Sequence, residues 1–565
     1  MSKLESFIVL TFSYIIFEVL LIRIGFFFGI PISNITLPAT LIIYCAGIAI
    51  IFALLSISVE EKINKYISLL GFVVTIIGLG VVSHLLSNTY DTSWDGQGYH
   101  QTAVIALSQG WNPVREKSIS LKQELPSQIF AEGYPSALWE IEATVYALTG
   151  RINSAKVANF AAGFISLVLL YILFKKINFG TYIASIMSLL IVIQPVYIMQ
   201  LLTFMQDSFG YQTLLIAMAS LAILTISPKS YWATAMFIMA ELLLVTTKYS
   251  HLPLALILGV IFGLIALNRL LNKIYVLNKW TYYYLAALIF VSCIFAYIPY
   301  IRNGLLHGAI FYPTNIPELM GSVKYNNIPN NLDNKDKLTL FFYGIFSKAQ
   351  SKESGDPRSE GNLAELKVPF TFTIDEVTDS ADLHNNRVGA GGPLFSGIVV
   401  LTFLFLLFVT FKAHDQHERY AVYVAYFSLG LITFLALLTP TPNLLRYANQ
   451  VQLIPFAIVI PIYAVFRKRY VKAFTAIFIL LMSFNVGFYS FAVFQRQIEE
   501  TRQMNAQFDR MRRSGDTFQV RAQQFYSSYV ILNEQKIPFV ASEHLRCGKS
   551  ETLVASSSTT QFCKK

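Results

Sequence analysis

Long apolar runs separated by short polar loops make up most of this chain. A helix that crosses a bilayer needs about 20 predominantly apolar residues, so the pattern predicts an all-α polytopic membrane protein with about 13 transmembrane helices. These helices are expected at residues 6–29, 36–57, 67–87, 156–174, 181–201, 210–227, 231–247, 252–268, 281–300, 394–411, 420–438, 448–466 and 473–494.

Three longer polar segments interrupt the apolar pattern, at residues 88–155, 301–393 and 495–565. They divide the chain into a transmembrane domain, residues 1–494, and a small C-terminal module, residues 495–565. Segment 301–393 has a loop composition, and a short helix is expected near 337–348.

The distribution of Lys and Arg predicts the orientation in the membrane, because cytoplasmic loops are enriched in both residues. Loops on the N-terminal side carry them, whereas three short connections on the other side carry none: 31–34, 205–208 and 439–443. Lys248, in a short external turn, is the exception. We expect a bacterial inner (plasma) membrane protein with a cytoplasmic N-terminus, and with the three long polar segments and the C-terminus external.

The composition supports a membrane location and excludes some partners. The chain is 55% hydrophobic and 13% charged, whereas soluble domains average about 25% charged residues. The formal net charge of +10 is explained by Lys and Arg at the membrane surface. We therefore expect the lipid bilayer as a partner and no nucleic acid.

The polar tail is predicted to form a small α/β module that caps the protein. A charged helical pattern over 495–525 precedes two possible short strands, 529–532 and 537–540, and residues 556–565 are expected to be poorly ordered. Cys547 and Cys563 lie in this predicted external tail, where the compartment is oxidising, so a disulfide is expected. The alternative is two free thiols.

The polar stretch from 88 to 150 carries the candidate chemistry. Residues 94–100 are WDGQGYH, residues 106–111 are ALSQGW, and residues 132–139 are EGYPSALW. This arrangement resembles the first external loop of GT-C glycosyltransferases, especially the protein O-mannosyltransferase and aminoarabinose transferase group (the family 39-like group). On that likeness Asp95 takes the first acidic position and Glu132 the second.

Two later motifs also resemble this superfamily. One is RNG at 302–304 with FYP at 311–313, and the other is RY at 446–447 followed by LIP at 453–455. The chain departs from the pattern in two ways: many relatives have an Asp-Glu pair where it has Asp95-Gly96, and two extra helices precede the usual first one. The resemblance implies a GT-C-like fold and transfer of a hexosyl or pentosyl group from a polyprenyl-phosphate sugar. The acceptor would be an envelope glycolipid, polysaccharide or protein on the external face.

Such a reaction needs a base, because a neutral hydroxyl is a poor nucleophile. Asp95 is the candidate base, and a carboxylate partly shielded from water has a raised pKa and is a better base. The alternative is that Asp95 caps a helix that starts near Gly98. Glu132 is expected to orient the acceptor or a cation, or else to be an exposed carboxylate in the first turn of a helix. Asp91 has the same structural alternative.

The remaining site candidates are expected to bind substrate. Tyr99, His100 and Tyr134 belong to the acidic motifs, whereas the cations suited to a leaving phosphate are Lys248, Arg302, His307 and Arg446, the last next to Tyr447. The alternative for these cations is snorkelling at the membrane interface. Glu241, within an apolar helix, is a candidate because a carboxylate there is costly. No metal motif is found and no cofactor is certain, although two carboxylates could hold a divalent cation.

Two other function classes compete with the enzyme. A transporter or flippase of lipid-linked envelope glycans usually shows internal repeats and interrupted helices in matching halves, and neither is clear in this sequence. A glycan polymerase or ligase would share the topology but is expected to rely on basic external loops. A polyprenyl-phosphate-sugar-dependent transferase is therefore the favoured interpretation.

Overall fold

A computed structural model describes residues 2–34, 37–54, 59–120, 127–273, 279–317, 328–351, 363–374, 376–377, 386–554 and 560–565. The α-helices among them are, in chain order, α1 Lys3–Phe27, α2 Leu37–Leu54, α3 Val59–Leu86, α4 Gln101–Ser108, α5 Gln128–Gly133, α6 Ala137–Thr149, α7 Val157–Lys176, α8 Thr181–Val192, α9 Pro195–Gln200, α10 Gln206–Ile226, α11 Tyr231–Thr247, α12 Leu252–Leu271, α13 Lys279–Ala296, α14 Asn303–His307, α15 Lys337–Phe346, α16 Phe395–Lys412, α17 Gln416–Leu438, α18 Ile454–Val465, α19 Arg469–Ser514 and α20 Ser527–Glu534. The short helix predicted near 337–348 is confirmed as α15.

The predicted class, a helical membrane protein, is confirmed by the apolar helices. Among the described residues nine are long and apolar enough to cross a membrane: Lys3–Phe27, Glu61–Leu86, Ile152–Lys176, Gln206–Ile226, Tyr249–Leu271, Leu285–His307, Phe395–Lys412, Gln416–Leu438 and Arg469–Ser514. Five shorter apolar helices accompany them: Leu37–Ala53, Thr181–Val192, Tyr231–Thr247, Lys337–Phe346 and Asn449–Val465. The number of 13 spans stays a prediction, and residues 36 and 55–57 of the second predicted helix lie outside the described residues.

The chain forms two compact units. The first contains Met1–Ile172, Leu202–Ile316 and Ile498–Lys565, and the second contains Leu173–Leu201 and Pro317–Gln497. In the first unit α1 is central, since it packs against α3, α6, α11 and α13. Arg23 of α1 forms a fully buried ion pair with Glu140 of α6, with Nε 2.9 Å from Oε2. Burial of such a pair is tolerated only when both partners are well bonded, so this contact holds α6 in a defined orientation.

The second unit contains an interruption that the apolar pattern does not reveal. The single helix predicted at 181–201 is two helices, because α8 ends at Val192 and α9 begins at Pro195. Proline has no backbone N–H and fits the first turn of a helix but not its interior. Within this unit α17 and α18 pack along each other, and α16 also packs against α18.

The C-terminal module is built on a helix longer than predicted. Helix α19 runs without a break from Arg469 to Ser514, so the boundary predicted at 494–495 falls inside a helix. Gly515 then has φ +68°, the left-handed conformation that commonly ends helices. The change from apolar to charged residues near 495 therefore marks a change of surroundings, and the helix continues through it.

Four strands complete the module: β3 Phe518–Arg521, β4 Phe539–Ala541, β5 Glu551–Thr552 and β6 Gln561–Lys564. Together with a two-stranded pair in the second unit, β1 Gln350–Ser351 and β2 Asn386–Val388, they are the strands of the described residues. In the module the order is β4-β3-β6-β5, with β3 parallel to β4 and antiparallel to β6. The predicted disulfide Cys547–Cys563 is confirmed and fastens β6.

Two predictions for the tail were wrong. Residues 529–532 belong to helix α20, where all four side chains are buried, because a short apolar run does not by its period distinguish a strand from a buried helix. Residues 561–564, expected to be poorly ordered, form strand β6; residues 555–559 lie outside the described residues.

Candidate active site

The polar stretch in the first unit begins with a buried turn at Asp91, which is 2% exposed. Its Oδ1 accepts hydrogen bonds from the backbone N–H of Ser93 at 2.8 Å and from the Ser93 hydroxyl at 2.6 Å. Its Oδ2 accepts from the backbone N–H of Phe204 at 2.8 Å. Asp91 therefore joins the start of this segment to the chain preceding α10.

The same carboxylate explains why residue 96 is glycine. A Cβ at Gly96 would lie 2.0 Å from Asp91 Oδ2 and 2.3 Å from Ser93 Oγ, and neither atom has room to move in this buried turn. Position 96 therefore has no room for a side chain while Asp91 and Ser93 keep their places.

Asp95 differs from Asp91 in its exposure. It is half-buried and precedes a π-helical turn, Gly96–His100, but its side chain makes no capping hydrogen bond. The structure therefore does not support the helix-cap alternative. Its neighbour Trp94 is 43% exposed, with its ring centroid 6.1 Å from that of Phe525 in the C-terminal module. Trp94 is a candidate contact residue that the sequence reasoning did not single out.

Five polar side chains are buried in this part of the first unit, and we call them the buried polar cluster: Asp91, Glu142 and Lys156, which interact electrostatically, and Gln101 and Asn153. All five side chains are almost fully buried. Lys156 donates a hydrogen bond to the carbonyl of Thr89. The side chains of Gln101, Glu142 and Asn153 have no hydrogen-bond partner among the residues that the structure describes.

Electrostatics in the buried polar cluster favour a protonated Glu142. Burial raises the pKa of the Glu142 carboxyl well above its usual range, the negative charge of Asp91 raises it further, and the positive charge of Lys156 opposes both effects. A buried carboxylate with too little compensation takes up a proton, because its charged form is poorly solvated. Sequence reasoning did not select Glu142, because only the fold brings it near Asp91 and Lys156.

Next to the π-helical turn lies an aromatic cluster, which comprises Tyr99, Phe130, Tyr134 and Tyr249. The ring of Tyr99 is 5.2 Å from that of Phe130 and 5.8 Å from that of Tyr134, and Tyr134 is 5.9 Å from Tyr249. His100 lies behind Tyr99, is 2% exposed, and accepts a hydrogen bond at Nδ1 from the indole N–H of Trp139 at 2.9 Å. His100 is therefore buried and bonded to Trp139, and substrate binding by His100 stays a prediction.

Glu132 lies at the end of α5 and beside the aromatic cluster. The interpretation that it occupies the first turn of a helix was wrong, because it is the second-last residue of α5 and α6 begins only at Ala137. Its Oε1 accepts hydrogen bonds from the backbone N–H of Ile119 at 2.7 Å and the side-chain amide of Gln128 at 2.8 Å. The carboxylate is half-buried and is held in place by these two donors.

Arg302 connects three pieces of backbone. Its guanidinium donates to the carbonyl of Glu132 at 3.0 Å, and to those of Glu116 and Lys117 at 3.1 and 2.8 Å. The side chain is 2% exposed. Much of its bonding capacity is thus used by the fold, and phosphate binding by Arg302 stays a prediction.

Two further predicted cations lie in the first unit: His307, which has an aromatic neighbour, and Lys248, which has an acidic one. The imidazole of His307 stacks on the ring of Tyr312 with centroids 3.7 Å apart. Lys248 forms an ion pair with the buried carboxylate of Asp207. His251 is buried against Gly210, where a Cβ would lie 1.9 Å from its ring. The sequence showed Asp207 only as a loop residue; its role as the partner of Lys248 depends on the packing of α10 against α11.

Arg446 and Tyr447 lie in the second unit, where they interact with each other. The Arg446 guanidinium carbon is 4.8 Å from the centroid of the Tyr447 ring, and one guanidinium nitrogen donates to the Tyr447 hydroxyl at 3.2 Å. Arg446 is 3% exposed. Glu241 is half-buried in α11 of the first unit, and its Oε1 accepts no hydrogen bond from the described residues.

The C-terminal module packs directly on the polar stretch. The Tyr90 hydroxyl donates to Asn505 Oδ1 at 3.0 Å. Arg151 donates to the carbonyl of Glu534 at 2.9 Å, and the backbone N–H of Ile152 donates to the Glu534 carboxylate at 2.9 Å. Burial raises the pKa of Glu534 to about 7, although the Ile152 hydrogen bond and the Arg151 charge act in the opposite direction.

The fold thus gathers segments that are far apart in sequence. Tyr99, Glu132, Tyr134 and Arg302 lie in or beside the aromatic cluster, through the ring contacts and backbone bonds described above. His307 is connected to it through Tyr312, whose carbonyl accepts a hydrogen bond from the Tyr249 hydroxyl at 3.2 Å. Across the described ranges, no group of three or more His, Cys, Asp and Glu side chains is arranged to hold a metal ion. A divalent cation held by two carboxylates stays a prediction from the sequence.

Comparison with models of known protein families finds no matching family. A search of curated proteins finds no match either.

Proposed function

We propose that this protein is a membrane glycosyltransferase that uses a polyprenyl-phosphate sugar as donor. The observation that carries the proposal is the position of Asp95. It is half-buried, it follows Trp94, whose side chain is 43% exposed, and it precedes Tyr99 of the aromatic cluster by four positions. Binding sites commonly combine aromatic walls with a few fixed polar groups, and the two faces of a sugar ring suit such walls.

In the proposed reaction Asp95 takes a proton from a hydroxyl of the acceptor. That oxygen forms a bond to the anomeric carbon of the donor sugar while the bond between this carbon and the phosphate oxygen breaks. The electron pair leaves on the lipid phosphate, and the proton passes from Asp95 to water. Glu132, fixed by Ile119 and Gln128, orients the acceptor. In the second unit, taken by itself, Arg446 beside Tyr447 offers the planar fork that suits phosphate oxygens and is the candidate ligand of the donor phosphate.

The orientation of the protein in the membrane is part of the same proposal. The Lys and Arg bias supports a proposed location of the polar stretch, and with it Asp95, on the external face of a bacterial inner membrane. A polyprenyl phosphate keeps its chain in the lipid and presents its headgroup at the surface, so acceptor and donor would meet at that boundary. Envelope glycolipids, polysaccharides and exported proteins are the acceptors available there.

An in vitro transfer assay with labelled polyprenyl-phosphate sugars tests the proposal. Asp95→Asn is nearly isosteric, so it should keep the fold and lower the transfer rate by roughly 10²–10⁴, the range for a lost general base. Asp333→Asn, an exposed carboxylate in the second unit, serves as the control and should transfer normally. Full activity of Asp95→Asn, with an unchanged unfolding midpoint, would remove Asp95 from the reaction.

One observation favours the second candidate, a transporter of lipid-linked glycans. The interruption between α8 and α9 resembles the broken helices at which many transporters bind their substrates. Reconstituted vesicles distinguish the two functions: a transporter would move a labelled lipid-linked glycan between leaflets without an acceptor. A transferase would label an acceptor and leave the leaflet distribution unchanged.

A further inference from the structure

The first unit contains a cavity of about 700 Å³ that none of the candidate site residues lines. Its walls are formed by α1, α2 and α3 on one side and by α6 and α7 on the other. Cavities of 300–1,000 Å³ are typical of small-molecule sites, so the volume is sufficient for a ligand of substantial size.

Helices of membrane-spanning length form part of the cavity wall, so we expect the cavity to lie at the depth of the membrane. Three of its walls, α1, α3 and α7, belong to segments long and apolar enough to span a bilayer. The lining surface is mostly apolar, and Ile15, Leu41, Ile76 and Leu79 contribute to it. Apolar cavities stay dry and accept apolar ligands, and the only abundant apolar molecules at this depth are lipids.

One end of the cavity is polar. Ser87 and Asn88 follow the end of α3, and Arg151 follows the end of α6. Arg151 is the one Lys or Arg among the described lining residues, and it also donates to the carbonyl of Glu534. Away from this end, the lining carboxylate of Glu18 accepts a hydrogen bond from the Thr40 hydroxyl at 2.6 Å. The cavity is therefore amphipathic along its length, as a lipid is.

Helix α6 separates this cavity from the aromatic cluster. Its residues Ile141, Val145 and Leu148, spaced by four and three positions along one helical face, line the cavity. Trp139, on another face, bonds to His100 next to the aromatic cluster. A molecule in the cavity would thus occupy a place distinct from the proposed sugar site.

We propose that this cavity binds the hydrocarbon chain of a membrane lipid, with the lipid headgroup at Ser87, Asn88 and Arg151. The ligand chemistry is a long aliphatic chain with a polar head. An acyl chain of a phospholipid and an isoprenoid chain of a polyprenyl phosphate both satisfy it. The proposal does not depend on the glycosyl transfer proposed above.

The test uses a glycine pair in α3. Gly80 lines the cavity, whereas Gly78 is not among its lining residues, and a Cβ at either position would meet no atom within 4 Å. Gly80→Phe should therefore fill the cavity, and Gly78→Phe adds the same ring to the same helix outside it. Ala161→Phe, on the opposite wall, is a second filling variant should Gly80→Phe fail to fold.

The measurement is mass spectrometry of lipid bound to the full-length protein purified in mild detergent. We expect wild type and Gly78→Phe to retain lipid. Either filling variant should retain about tenfold less, which corresponds to exclusion of about two chain methylenes. Added phospholipid and added polyprenyl phosphate, compared as displacing agents, identify the source of the chain. Absence of bound lipid from wild type, or equal retention in all folded variants, would overturn the proposal; neither result bears on transfer activity.

Discussion

Two sets of residues in the first unit have acidic side chains in opposite surroundings. One is the buried polar cluster. The other is a set of half-buried or exposed residues that we call the rim: Trp94, Asp95, Glu132 and His307. In the buried polar cluster, Asp91 is bonded by three donors and influences Glu142 and Lys156. At the rim, Asp95 and Glu132 are half-buried. Two aspartates four residues apart thus differ in burial: Asp91 is 2% exposed, whereas Asp95 is half-buried. We expect Asp91 to maintain the fold, and the role proposed for Asp95 is in the reaction.

The difference gives a criterion for sorting acidic and basic residues in a polar membrane segment. A buried charge whose hydrogen bonds come from distant backbone groups costs stability when it is removed. A half-exposed charge costs little stability, so its effect is measured in activity. By this criterion Arg302 belongs with the buried residues, although its position in the sequence resembles that of a phosphate ligand.

The largest effect is expected for Asp91→Ala. The change removes the acceptor of three hydrogen bonds and leaves Lys156 buried with less compensation, so unfolding free energy should fall by about 3–5 kcal/mol. Thermal unfolding in detergent measures it. Asp95→Ala is the matched control and should lose less stability than Asp91→Ala, because Asp95 is half-buried whereas Asp91 is 2% exposed. Equal stability of the two variants would contradict the comparison.

A smaller effect is expected for Arg302→Lys. Lysine keeps the charge but cannot reach three carbonyls in one plane, so about 1.5–3 kcal/mol of stability should be lost, as for one hydrogen bond of a charged group. Arg115→Lys is the control, because Arg115 is exposed and its hydrogen bond to the carbonyl of Phe27 is also exposed to solvent. If Arg302→Lys instead weakened donor binding with no change in stability, Arg302 would be a substrate-binding residue and not a structural one.

The smallest effect concerns pH and the docking of the C-terminal module. The folded pKa of Glu534 is about 7, above the ordinary value of 4.5, so the folded state binds this proton more tightly than the unfolded state. Its contribution is therefore complete below pH 4.5 and is lost as pH rises through about 7. Hydrogen exchange of residues 518–541 should show weaker protection at pH 8 than at pH 5.

Glu534→Gln should flatten this pH dependence, because the amide keeps the hydrogen bond from Ile152 and does not titrate. Glu543→Gln, an exposed residue of the same module, should leave the dependence unchanged. A wild-type profile that did not change between pH 5 and pH 8 would show that Glu534 does not couple the module to the polar stretch.

The sequence by itself determined the class of the protein, because a run of about 20 apolar residues has few stable conformations other than a membrane helix. It also predicted helix α15 and the disulfide Cys547–Cys563, since local composition and compartment decide both. It could not separate α8 from α9, nor identify residues 529–532 as a helix. Those outcomes depend on what surrounds the apolar residues.

Only the tertiary structure decided the tasks of the charged residues. Asp91 is a scaffold residue because the backbone N–H of Phe204, 113 positions away, meets its carboxylate, and Gly96 is required by that same contact. Lys248 is paired because α10 brings Asp207 to it. Local sequence records which charges are present, but the free energy of a buried charge depends on partners that arrive through long-range packing, and no neighbouring residue reveals them.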